Sequence, residues 1–118
     1  MKSSDRQRFA AFDVVVVPFP SADRLAEKRR PALVVSGPKL APYDLVWVAM
    51  ITSADNERWP SDIAIADRDG AGLPAASVVR PAKIACIDPA RIERRAGRFD
   101  KKTARAVAQR LRGFLGTP

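Results

Sequence analysis

Asp13-Val14-Val15-Val16-Val17-Pro18-Phe19, DVVVVPF, sets four consecutive valines between an aspartate and a proline. β-Branched side chains are stiff at χ1 and favour pleated backbone, and the run is too short for a helix. It therefore reads as a strand buried on both faces or nearly so. A polar segment follows, Pro20 to Lys28, which is too long for a tight hairpin turn and reads as a mobile loop. Pro31-Ala32-Leu33-Val34-Val35-Ser36 is then a second strand, with its proline at the first position, where no ladder N–H is lost.

Further along, Gly37-Pro38 breaks the chain, and Asp44-Leu45-Val46-Trp47-Val48-Ala49-Met50-Ile51-Thr52 gives a third and longest strand. Trp47, inside it, reads as core. Trp59-Pro60 marks a loop, and the alternation of Asp62-Ile63-Ala64-Ile65-Ala66-Asp67 gives a fourth strand. Asp69-Gly70-Ala71-Gly72-Leu73-Pro74 is dense turn chemistry. Ser77 to Arg80 and Lys83 to Ile87, interrupted by Pro81, then read as one strand or two, for five or six in all.

The last element differs in kind. Ala104, Val107, Ala108, Leu111 and Leu115 recur every three or four residues, which predicts an amphipathic helix over about 101–115, with Asp100 as N-cap and Gly116 as its stop. Short strands with frequent turns and one terminal helix describe a mainly β fold: a small curled antiparallel sheet or barrel with the helix packed on it. The chain has 118 residues, 47% of them hydrophobic, enough for one compact core and not two. Residues 12–118 are expected to form that domain, after a flexible N-terminal extension of residues 1–11.

Charge points to the class of partner. The net charge is +8 without any histidine. Residues 91–118 hold 9 Lys/Arg and 2 Asp/Glu, a net of +7, whereas residues 1–90 hold 12 and 11, a net of +1. Such a field attracts polyanions, either nucleic acid or an acidic protein segment. The lack of histidine excludes Ser-His-Asp triads and histidine-based ribonuclease chemistry. Gly70-Ala71-Gly72 lies between two apparent strands, so it is a turn and not a phosphate-cradling loop.

Cys86 is the sole cysteine, so no intramolecular disulfide can form, and its place in Ile84-Ala85-Cys86-Ile87 reads as a buried structural thiol. With one cysteine and no histidine, carboxylates are the remaining metal ligands, and no calcium-type loop is present; no metal or cofactor is expected. The N-terminus lacks the apolar run of a signal peptide, and no stretch is apolar enough to span a membrane. A soluble, cytoplasmic protein is expected.

Arginines, hydroxyls and carboxylates remain for chemistry. Arg30 precedes Pro31, which holds it extended, and a rigid strand follows, so its guanidinium has a defined launch point for clamping a phosphate. Spacing alone leaves a second reading open, in which Lys28-Arg29-Arg30 is an ordinary solvated basic loop. Thr52 has a similar alternative, a strand-end hydroxyl bonded to backbone.

Phe12 to Pro20, Lys28-Arg29-Arg30-Pro31-Ala32-Leu33-Val34-Val35-Ser36, Ile51-Thr52-Ser53, Gly72-Leu73, Ser77-Val78-Val79-Arg80-Pro81 and the terminal helix, taken in order, resemble the MazF/PemK family of bacterial type II toxin–antitoxin systems. The resemblance runs from about Phe12 to Gly116. It implies an SH3-like β-barrel with a C-terminal helix, usually a homodimer. It also implies a toxin that cuts single-stranded RNA at short sequences without metal, leaving a 2′,3′-cyclic phosphate and a 5′-hydroxyl.

Arg30 and Thr52 match the family's usual catalytic pair, and Arg80 matches an arginine used by some members. Lys28, Arg29, Ser53, Trp59 and Arg80 are the expected RNA contacts, with Trp59 able to stack on a base or to anchor the dimer or an antitoxin peptide. The expected partners are single-stranded RNA, an acidic antitoxin segment that folds on binding, and a second copy of the chain.

Two departures stand out. Phe12 replaces a glycine common before the strand aspartate, which is expected to alter packing alone. Ala82, two residues after Arg80, occupies a position that is acidic in some members, and neither Asp62 nor Asp67 is close enough in sequence to stand in for it. Two other readings remain: a non-catalytic nucleic-acid-binding barrel, and a poison of DNA gyrase like the related CcdB toxins.

Overall fold

The computed structural model describes residues 9–20 and 27–116. Residues 1–8 of the expected extension, 21–26 of the long loop and 117–118 lie outside the described residues. Six strands, β1 (Asp13–Pro20), β2 (Glu27–Val34), β3 (Val46–Ser53), β4 (Ile63–Ala64), β5 (Ser77–Ile87) and β6 (Arg94–Arg98), precede one helix, α1 (Lys101–Phe114). All pair antiparallel in one sheet of order β4-β5-β3-β2-β1-β6, curled into a half-barrel.

The valine run is buried on both faces, as its composition requires. Val14 joins Leu33, Ala49, Ile51 and Val79 in one apolar cluster, closed by Phe99 and by Val107 of α1. Val15 and Val17 point the other way, into a second cluster with Ala32, Val34 and Val48, closed by Ile92. Each large side chain so buried contributes about 1.5–3 kcal/mol. The helix starts where Asp100 caps it: one carboxylate oxygen accepts the Thr103 N–H at 3.2 Å and the other the Thr103 hydroxyl at 2.6 Å. It ends at Phe114, with Phe114 and Leu115 both exposed, so the buried stripe stops at Leu111, a turn before the expected Leu115.

Several sequence expectations are corrected. Ser77 to Ile87 is one continuous strand of 11 residues, not two. Its register against β3 jumps from Ala49↔Ile84 to Met50↔Arg80, leaving residues 81–83 as a bulge that absorbs Pro81, which has no N–H to donate. The sixth strand is instead Arg94-Arg95-Ala96-Gly97-Arg98, an edge strand on β1 whose three arginines carry no apolar alternation. The fourth strand shrinks to Ile63–Ala64.

Trp47 and Cys86, read as buried, are opposite one another on β3 and β5 and are both exposed. Val46 and Val48 are committed to the second cluster, so alternation turns Trp47 and its partner Cys86 to the other face.

Two backbone positions set how the turns meet the sheet. Phe12 has φ +73°, its N–H donates to the Val34 carbonyl at 2.6 Å, and its own carbonyl accepts from Phe99 at 3.0 Å. A residue other than glycine is strained in this left-handed region, so Phe12 in place of the glycine implied by the resemblance bears on backbone conformation as well as on packing. Gly72 has φ +72°, and a Cβ there would lie 2.0 Å from the Ala96 carbonyl oxygen. Gly72→Ala is expected to destabilise the protein by about 2 kcal/mol or more in chemical denaturation, because it adds left-handed strain to a backbone clash.

Candidate functional site

Strands β2 and β3 pair from Val34↔Val48 to Ala32↔Met50 and no further. Pro31 comes next and has no N–H to extend the ladder. Continuing the same register sets Arg30 opposite Thr52, at the point where the strands part and a groove of about 390 Å³ opens. Lys28, Arg29 and Arg30 form one bank, Thr52 and Ser53 lie on the β3 side, and the turn from Leu73 to Ser77 supplies the opposite bank. The structure thus brings five of the expected site residues together. Trp59 and Arg80 lie outside the groove lining.

Arg30 is held from β1, where it pairs with Val17. Its Nε is buried, and no acceptor reaches it among the described residues. A buried donor without an acceptor costs roughly 1–3 kcal/mol, more when charged, so this guanidinium is poised for an anion. Arg29 instead makes an ion pair with Glu93 across the sheet. Both partners are exposed, so the pair orients Arg29 and adds little stability. Ser53 Oγ accepts the Asp55 N–H at 3.1 Å and shapes the turn that leaves β3.

Thr52 is 5% exposed. Its Oγ1 accepts a hydrogen bond from Asn56 Nδ2 at 2.6 Å. That donor is a side chain four residues on.

Arg80 sits one layer behind, in a cluster not legible from spacing. Its Nε donates to Asp62 Oδ1 at 3.0 Å and its Nη2 to Asp62 Oδ2 at 2.9 Å, with side chains 9% and 1% exposed. Nη2 also donates to the Glu57 carbonyl at 2.9 Å. The guanidinium carbon lies 4.1 Å from the centroid of the Trp59 ring, a cation–π contact on one face of the indole. Asp62, set aside from the sequence as too distant, is the carboxylate that meets Arg80. Loop residues 54–62 fold back to deliver it, a path that no short motif reports.

Burial pushes the Asp62 carboxyl up, but the Arg80 hydrogen bonds, the Trp59 N–H and the charges of Arg80 and Arg58 together hold it below its ordinary 3.8. A carboxyl lowered on folding stabilises the protein above its unfolded value, and that contribution is lost as pH falls through the folded one. Stability is therefore expected to hold down to about pH 5 and to decline below about pH 4. Asp100, lowered by the Thr103 hydroxyl and N–H, adds to the same decline. In urea titrations across pH, Asp62→Asn should remove part of this acid dependence.

A guanidinium and a hydroxyl lining one groove beside a basic bank can hold a phosphodiester and stabilise charge building on its phosphorus. Among the described residues, no three His, Cys, Asp or Glu side chains are grouped to hold a metal ion. No helix among them is long and apolar enough to cross a membrane.

Known structures share this architecture. A MazE-MazF complex from Deinococcus radiodurans aligns with TM-score 0.71 and 21% identity, over 95% of this chain and 99% of that one. MazF from the same organism aligns with TM-score 0.70 and 24% identity, over 94% and 99%. The Mycobacterium tuberculosis toxin MazF-mt6 gives 0.68 and 20%, over 86% and 93%. At these identities the likeness establishes the fold, that of the MazF toxins. No curated protein sequence matches.

The family itself is shown by sequence. The model of the PemK-like, MazF-like toxins of type II toxin–antitoxin systems matches residues 10–115, and the chain belongs to that family.

Proposed function

We propose that this toxin is an endoribonuclease that cuts single-stranded RNA in the groove between β2 and β3, without a metal ion. The observation that carries the reading is Arg30, whose buried Nε has no acceptor among the described residues and which lines one groove with Thr52. In the reaction, the 2′-hydroxyl of the nucleotide before the cut attacks phosphorus as its proton passes to solvent. The bond to the 5′-oxygen breaks and that oxygen takes up a proton, giving a 2′,3′-cyclic phosphate and a 5′-hydroxyl. Arg30 binds the phosphate and stabilises the added negative charge of the pentacovalent state, and the Thr52 hydroxyl donates to a non-bridging oxygen.

Lys28 and Arg29 steer the backbone into the groove, and Ser53 borders it. Trp59, backed on one face by Arg80 and 40% exposed, offers its other face to a base. Arg80 serves RNA through Trp59 and the loop it braces.

One similar structure is an endoribonuclease in complex with its cognate antitoxin, from a mycobacterial species. By the same chemistry, an acidic antitoxin segment neutralises this chain by covering the basic bank. The active form is read as a cytoplasmic homodimer, with the exposed Trp47 and Ile84 available to a second copy.

The test is purified protein with mixed-sequence single-stranded RNA in EDTA, the product ends mapped by sequencing. Cuts at a recurring short motif with 5′-hydroxyl ends are expected. Intact RNA retained on the protein with steep salt dependence points instead to a binding barrel, and inhibition of gyrase supercoiling to a gyrase poison.

A further inference from the structure

The geometry points to Asn56 as the residue that aims the Thr52 hydroxyl. This rests on the ribonuclease reading above and adds a positioning residue to it.

A threonine hydroxyl has one proton and rotates freely about Cβ–Oγ unless a partner fixes it. Here the amide of Asn56 donates to Oγ1 at 2.6 Å, so an oxygen lone pair is occupied and the hydroxyl proton is left for another acceptor. Thr52 lines the groove, and a non-bridging phosphate oxygen of RNA bound there would be that acceptor. A donor at position 56 therefore makes Thr52 a donor to the substrate. An acceptor at 56 would draw the hydroxyl proton away from the groove.

The placement of Asn56 is itself braced. Its N–H donates to the Ser53 carbonyl at 3.1 Å, closing a turn after β3. The next residue, Glu57, has its carbonyl held by Arg80 Nη2, and Arg80 is locked to the buried Asp62. The buried ion pair thus reaches the site through residues 56 and 57. Arg80 and Asp62 are positioning residues at one further remove, and this gives the buried pair a use other than stability.

The experiment measures single-turnover cleavage of one RNA by the full chain and by Asn56→Asp, Asn56→Ala and Thr52→Val. Asn56→Asp keeps the shape and, when ionised, exchanges the donor for an acceptor. It is expected to lower the rate constant at neutral pH by roughly tenfold to a hundredfold with RNA affinity within about threefold of wild type. It should regain activity relative to wild type as pH falls and the new carboxyl protonates into a donor. Asn56→Ala should show a similar rate loss without that recovery. In a Thr52→Val background neither change should lower the rate further. Wild-type rates with a flat relative pH profile in Asn56→Asp, or equal losses with and without Thr52, would overturn the assignment alone. Failure of wild type to cleave any RNA would overturn it together with the ribonuclease reading.

Discussion

Arg30→Ala is expected to abolish RNA cleavage, by on the order of 10²–10³-fold or more, while leaving the protein at least as stable as wild type. The two effects have one physical source. The guanidinium is held from β1 with its Nε buried and without an acceptor among the described residues, an arrangement that weakens the folded state and favours an anionic ligand. Removing it relieves a buried donor, so stability in urea should stay level or rise by up to about 1 kcal/mol. Arg30→Lys should restore charge without restoring activity, because an ammonium lacks the planar fork that matches two phosphate oxygens. A variant that lost stability in step with activity would show Arg30 to be structural.

The second large effect is expected at the buried pair. Asp62→Ala strands the Arg80 charge in a site only 9% exposed, and should destabilise the protein by about 3–5 kcal/mol. Against a total of roughly 5–15 kcal/mol for a domain of this size, that is a large share. Replacing both partners, Asp62→Leu with Arg80→Met, should recover most of the loss, since no charge is then left buried. Cleavage should not recover with it: the Glu57 carbonyl and the Trp59 ring both lose the guanidinium that holds them. Denaturation and cleavage measured on the same variants separate the two. Equal recovery of both would mean that the pair acts on stability alone.

These residues also mark how far the sequence could be read. DVVVVPF is legible as a strand because burial on both faces demands an unbroken apolar run, and the helix because its cap and its spacing agree. Arg94 to Arg98 is illegible as a strand because an edge strand needs little apolar pattern, and its pairing with β1 is a long-range choice. Trp47 is exposed against expectation because a β-strand offers two faces and residue type alone does not say which is covered. Arg30 and Thr52 drew notice through the resemblance and through their places, one before a proline and one near the end of the longest apolar run, and both line the groove. Asn56 and Asp62 carry no such signal, because their partners are fixed by how residues 54–62 fold back, a path no short motif encodes.

In the proposed reaction the RNA's own 2′-hydroxyl attacks a phosphate held by Arg30. The most direct measurement takes an oligonucleotide that wild type cleaves at one position and replaces the nucleotide before the cut with its 2′-deoxy form, in EDTA. Binding is expected to persist, cleavage there to disappear, and the all-RNA oligonucleotide to yield a 2′,3′-cyclic phosphate. Continued cleavage of the 2′-deoxy bond would contradict it, since the nucleophile would then have to be water or a protein side chain.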